Sequence, residues 1–248
     1  MSGHSKWSTI KRKKGAADAK RGALFTKLAN AITIAAKQGG GDPETNFSLR
    51  LAIDKARGGN MPTANIERAI KRGTGELAGE KAPEQVIYEG YGPGGVAVLV
   101  ECLTDNRNRT VSEVRSLITK RGGSMADAGS VAYLFSARGI LTIPAESHAP
   151  DEIMLAAIEA GALDTEQVGG TIEVQTEKHD FKAVKDALEH AGYRVSSAEL
   201  TQVANTQVPV TDRKSAETIV GLVTDLEDLD DVLSVSTNAD IEPELVGG

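Results

Sequence analysis

The sequence predicts an α+β protein, with an N-terminal three-helix bundle followed by two sheet-and-helix units, one inserted into the other. Three observations predict it. Apolar residues recur at helical spacing up to about Arg72 and at strand spacing beyond the linker that follows. Glycine clusters at 39–41, 58–59, 90–95 and 122–123 punctuate the chain. Charge divides at the same place. Up to Arg72, 15 Lys and Arg stand against five acids, a net of +10, whereas the remainder holds 13 against 30, a net of −17. The whole-chain value of −7 hides this asymmetry, which marks an interaction arm on an acidic body.

Each element has its own signal. Met1 to about Gly15 is polar and basic without an apolar period, and reads as an arm that orders on meeting a partner. From Ala16 to Gln38, Leu24, Leu28, Ala31, Ile32 and Ala35 form a helical stripe that Gly39-Gly40-Gly41 ends. Asn46 to Arg57 is a second helix, stopped by Gly58-Gly59-Asn60. Pro62 opens a third, with Ile66, Ala69 and Ile70 inward and Arg68, Lys71 and Arg72 outward. Gly73 to Pro83 is a linker. Strands then follow at Val86–Tyr88 and Val96–Leu103. Thr104-Asp105-Asn106 supplies turn and N-cap chemistry, with Asp105 or Asn108 as the cap on the simpler reading of that stretch. A helix at Thr110–Arg121 and a strand at Val131–Phe135 come next.

The next stretch alternates strand 139–143, helix 150–160, strands 162–165 and 171–175, helix 180–191 and strand 193–200. That order is the ferredoxin-like βαββαβ arrangement. The tail offers a strand near 203–210, a helix at 213–226 and a strand at 232–236. Joined to the strand–helix–strand of 96–135, it completes a second βαββαβ. The expected domains are therefore a basic helical domain over 1–78, a discontinuous α/β domain over 79–136 and 201–248, and an inserted ferredoxin-like domain over 137–200.

Composition narrows the function classes. No apolar run approaches the roughly 20 residues that span a bilayer, and no apolar segment follows the cationic start as a secretory signal requires. Cys102 is the single cysteine, so no internal disulfide or cysteine metal site forms, and a reduced, cytoplasmic location follows. No nucleophile–base pair, carboxylate constellation or metal-ligand pattern stands out, so a non-enzymatic protein without cofactor or metal is expected. His148, His179 and His190 are scattered, and Asp228, Asp230 and Asp231 lack the spacing of a calcium loop. Gly90–Gly95 formally fits G-x-G-x-x-G but leads into a strand and contains Pro93, so it reads as a turn. After removal of Met1, Ser2-Gly3-His4 would present nitrogens suited to Cu(II) or Ni(II), although a histidine in a polyanion-binding arm is the simpler reading.

The candidate nucleic-acid site comprises Lys6, Trp7, Lys11, Arg12, Lys13, Lys14, Lys20, Arg21, Lys27, Arg68, Lys71 and Arg72. Lysine and arginine neutralise phosphates and release counterions. Trp7 either stacks on a base or packs on the bundle. Arg107 and Arg109, beside the start of a helix, are either a phosphate contact or partners of nearby acids. The acidic units would be repelled by the same polymer and are left to shape the complex or to meet a protein partner.

Several motifs in order carry a resemblance. They are Ser2-Gly3-His4-Ser5-Lys6-Trp7, Arg21-Gly22-Ala23-Leu24-Phe25-Thr26-Lys27-Leu28, Asn60-Met61-Pro62 with Ile66-Glu67-Arg68-Ala69-Ile70-Lys71, Tyr88-Glu89-Gly90-Tyr91-Gly92-Pro93, and Leu103-Thr104-Asp105-Asn106-Arg107-Asn108-Arg109-Thr110. Together they closely resemble the YebC/PmpR family, from Met1 to about Phe135 and more weakly to the tail. The resemblance implies three domains, a helical bundle and two α/β domains. It implies a cytoplasmic DNA-binding transcriptional regulator first. A translation factor that contacts ribosomal RNA is the alternative, because some bacterial and the mitochondrial relatives are associated with translation. It carries no functional residue over from the inserted domain.

Overall fold

The computed structural model of the chain describes Ile10 and residues 21–77, 83–146 and 148–246. Three helices come first: α1 (Arg21–Gly39), α2 (Phe47–Gly58) and α3 (Thr63–Thr74). Leu28, Ile32, Leu49, Ile53, Met61 and Ile66 close a shared core with the alanines between them. Asn46 fixes the first turn. Its Nδ2 donates to the carbonyls of Ala35 at 2.7 Å and Gly40 at 2.8 Å, and its Oδ1 accepts from the N–H of Leu49. One buried amide thus ends α1 and caps α2. The expected inward Leu24 is instead 40% exposed. The arm expected over 1–15 lies outside the described residues except for Ile10, which is helical and buried.

Helices α1 and α3 run side by side in the same direction, since Gly59 packs on Leu28 while Gly73 packs on Thr33 and Ala36. A Cβ at Gly73 would lie 2.4 Å from the carbonyl oxygen of Thr33, so only glycine permits this approach. The Thr33 hydroxyl lies 3.2 Å from the carbonyl of Ala69, an interhelical hydrogen bond at the same place.

The rest is α+β, with helices and two four-stranded antiparallel sheets. Strands β1 (Glu84–Tyr91) and β2 (Ala97–Thr104) form a hairpin, followed by α4 (Arg107–Lys120) and β3 (Ser124–Ala126). Next come β4 (Phe135–Pro144), α5 (Pro150–Glu159), β5 (Asp164–Val168), β6 (Thr171–Glu177), α6 (Phe181–His190) and β7 (Ser197–Ala204). Then follow β8 (Val208–Val210), α7 (Arg213–Glu227), β9 (Val232–Thr237) and β10 (Ala239–Ile241). One sheet has the order β3-β1-β2-β9 and the other β5-β6-β4-β7. Among the described residues, the chain forms two compact units. The first runs from Arg21 to Ala132 and takes in Asp212–Thr237, and the second holds Ile10, Tyr133–Thr211 and the residues from Asn238 onward.

Local expectations around the strands are corrected. Residues 131–135 are not a separate strand: Ala132–Leu134 is a 3₁₀ turn and β4 starts at Phe135. The cause is Glu89, whose carboxylate takes the N–H groups of Gly129, Val131 and Ala132 and so removes them from any strand ladder. The strand after α4 is the three-residue β3, too short to show a period. The strand expected near 203–210 does not complete the first sheet. Its early part extends β7, and β8 pairs in parallel with β10 outside both four-stranded sheets. The inner place it was to fill is held by β1, which the tight turn at Gly92–Val96 folds back onto β2. Within the Thr104-Asp105-Asn106 stretch expected to supply the turn and cap, it is Asn106 that caps α4, its side chain accepting from the N–H of Arg109 at 3.1 Å, while the Thr104 hydroxyl accepts from the N–H of Asn106 at 2.9 Å.

Candidate nucleic-acid interface

Helix α3 sets the candidate interface. Ile66 and Ala69 are buried on one side, and Arg68, Lys71 and Arg72, at i, i+3 and i+4, share another. Arg68 and Lys71 are exposed and Arg72 is half-buried. Between α3 and α1 lies a groove of about 450 Å³. Its α1 wall is Phe25, Ala29 and Thr33, one turn apart, with Thr26 at the rim. Its α3 wall is Asn65, Arg68, Ala69 and Arg72, and Met61 closes the end. The small side chains of Ala29 and Ala69 leave the space. The groove therefore has an apolar floor and two guanidinium groups among its walls.

Of the expected cations, the structure brings Arg68, Lys71 and Arg72 together. Lys6, Trp7, Lys11, Arg12, Lys13, Lys14 and Lys20 lie outside the described residues. Arg21 opens α1. Lys27 stands apart from the α3 cluster. It is half-buried, and its charge is felt at Cys102 of β2. One turn on, Asn30 donates to the carbonyl of Asp230 at 3.3 Å, so this side of α1 faces the first sheet. Lys37 adds a second tie, donating to the carbonyl of Pro83 at 3.0 Å. On α2, Arg50 is 3.4 Å from Glu44 and Arg57 is 3.9 Å from Asp54, pairs within the bundle itself.

Phe25, Thr26, Met61 and Asn65 line the groove and are not among the residues expected from the sequence. A four-residue spacing of aromatic, alanine and threonine on one helix, opposite a polar stripe on another, was the available signal. It becomes visible only once α1 and α3 are known to be neighbours.

Arg107 and Arg109 meet acids of the chain. The Arg107 Nε lies 3.6 Å from Glu84. Arg109 is 2.7 Å from Asp231 and 3.2 Å from Asp105. The same Asp231 oxygen accepts from the Thr110 hydroxyl at 2.7 Å and the Thr104 hydroxyl at 3.1 Å. Burial pushes the Asp231 carboxyl up, but the hydrogen bonds from Arg109, Thr110 and Thr104 outweigh it and hold it below its ordinary value. In return, the bond to Asp231 raises Arg109. This is a latch between the start of α4 and the start of β9.

Of the remaining sequence candidates, Ser2-Gly3-His4 lies outside the described residues. Gly90–Gly95 forms the turn between β1 and β2, with Gly94 and Gly95 at positive φ, as a hairpin loop requires. Cys102 is buried. No group of acids, histidines and cysteine among the described residues is arranged to hold a metal. No described helix is long and apolar enough to cross a membrane.

A cationic helical bundle followed by two antiparallel α+β sheets, the first of which takes its last strand from beyond the second, defines a class of multidomain proteins with a basic front end. Two family models match the chain: the TACO1/YebC protein N-terminal domain over residues 5–76, and the TACO1/YebC second and third domain over residues 83–239. The chain belongs to the TACO1/YebC family. It is 54% identical over 244 residues to a probable transcriptional regulatory protein of Trichlorobacter lovleyi, covering 98% of both chains. A protein of the same description from Thermobifida fusca is 52% identical over 246 residues, covering 99% of this chain and 98% of that one. Among solved structures, a conserved hypothetical protein from Aquifex aeolicus matches with a TM-score of 0.83 and 45% identity, over 90% of this chain and 92% of that one.

Proposed function

We propose that this protein is a non-enzymatic, cytoplasmic regulator that binds nucleic acid through its basic helical domain, and that it acts as a DNA-binding regulator of transcription. The observation that carries the proposal is the cluster of Arg68, Lys71 and Arg72 on one side of α3, in the part of the chain where cations outnumber acids three to one. Such a face supplies affinity for phosphates without base choice. The names of the relatives, probable transcriptional regulatory proteins, point the same way. Lys6, Lys11, Arg12, Lys13, Lys14 and Lys20 extend the cationic footprint along the sequence.

The acidic remainder turns toward protein. In the second unit Leu155, Ile158 and Leu163 are exposed, and Glu152 and Glu159 stand one turn either side of Leu155. Exposed apolar side chains beside glutamates on one helix are repelled by nucleic acid and suit a basic protein surface.

Duplex DNA binding measured over a salt series tests the proposal. Replacing Arg68, Lys71 and Arg72 with Gln reduces the magnitude of the log–log slope by roughly 0.9 for each phosphate no longer neutralised. A slope that does not change removes α3 from the interface.

A further inference from the structure

We infer that the groove between α1 and α3 receives an unpaired base, so that the polymer bound by this domain presents single-stranded nucleotides. The inference rests on the nucleic-acid reading above and goes further, because a purely phosphate-binding face has no use for an apolar cleft. The volume of about 450 Å³ lies within the roughly 300–1,000 Å³ of small-ligand sites. Met61 and Ala69 form a buried apolar floor, and half-buried Phe25 offers an aromatic surface for stacking. Asn65 is exposed on α3, one turn before Arg68 and Ala69, and its amide can both donate to and accept from a base edge. Arg68 and Arg72, one turn apart, line the same wall and suit the flanking phosphates. A base held within a duplex cannot enter such a cleft, whereas a base that is splayed out, in RNA or in melted DNA, fits it.

The test uses the full chain and short single strands of DNA and of RNA. Each is compared with a strand of the same length in which abasic sugars replace the nucleosides, so that the phosphates are conserved. The base-bearing strand is expected to bind about tenfold more tightly. Ala29→Leu, which fills the groove without altering charge, brings that ratio toward one and leaves the salt slope intact. Asn65→Leu, at an exposed position that does not endanger the fold, lowers the ratio more modestly. Equal binding of base-bearing and abasic strands by the native protein overturns the inference while leaving phosphate binding in place. So does a preference that survives both substitutions, which would assign the stacking to another residue. Binding to none of these strands, nor to duplex DNA, overturns the nucleic-acid reading as well. Whether the DNA or the RNA strand binds more tightly identifies the sugar.

Discussion

The carboxylate of Glu89 accepts the backbone N–H of Val131 at 2.6 Å, across 42 residues of chain. It also takes the N–H groups of Gly129 at 2.6 Å and Ala132 at 2.9 Å, so one side chain on β1 shapes the whole turn that leads into β4. Burial pushes this carboxyl up, yet the backbone N–H groups of Val131, Gly129, Ala132 and Ser130 outweigh it and hold it below its ordinary value.

Glu89→Gln keeps the shape and loses the charge. It is expected to destabilise the protein by about 1–3 kcal/mol at neutral pH, because backbone donors lose a charged acceptor. The folded-state carboxyl titrates below its unfolded value. Its contribution is therefore present above that value and is lost as pH falls through the folded one. Unfolding free energy followed from neutral pH down through the carboxylate range should fall in the native protein and show a smaller fall in the variant. Parallel curves would deny Glu89 this role.

Asp231 gathers three donors, and they are unequal. Thr104 and Thr110 are buried, whereas the Arg109 side chain is 46% exposed. Asp231→Ala takes the charged acceptor from two buried hydroxyls, leaving Thr110 only the Asn106 carbonyl at 3.1 Å and the Thr104 oxygen at 2.8 Å, and should cost about 1–3 kcal/mol in denaturant titration. Arg109→Ala should cost no more than about 1 kcal/mol, since water screens its pair. The opposite ranking would mean that the ion pair, not the hydroxyl network, holds α4 to β9.

Gly73→Ala places a methyl group 2.4 Å from the carbonyl of Thr33 and 2.8 Å from the Cβ of Ala36. The helices must part, at a cost of about 1–3 kcal/mol. Thermal unfolding followed by far-ultraviolet dichroism reads this directly. Gly58→Ala, where an added Cβ meets nothing within 4 Å, serves as the control and should be near neutral.

Cys102 has a thiol pushed up to about 12, first by burial, then by Asp231 and Glu101, with Lys27 opposing. The thiolate is the reactive form. A thiol-specific reagent should label native protein only as fast as the molecule opens, and at once in denaturant. Rapid native labelling would show that β2 is accessible.

The helices were legible because each carries its own period and its own stop. Leu28, Ile32 and Ile66 all lie in the core at the positions their helical stripes gave them. The α+β class followed from the switch in period after the bundle. What was hidden depends on partners distant in sequence. Residues 131–135 carry strand-forming side chains, but Glu89 claims their backbone, and no local pattern announces that. Strand β3 is too short to show alternation. The pairing of β8 with β10 is set by which edge is open, a property of the assembled sheets. For the site, the cations of α3 were plain in the sequence. The cleft beside them was not, because it exists only where Ala29 and Ala69 face each other across two helices.

The position of β9 beside β2 has a consequence for biosynthesis. The sheet that begins at Glu84 waits for Val232 before its last strand is in place, whereas every strand of the sheet that begins at Phe135 has been made by Ala204. While translation proceeds, the later-starting sheet finishes first, and β2 travels with one side unzipped. During that interval the nascent chain has an open edge that invites strand exchange or chaperone capture.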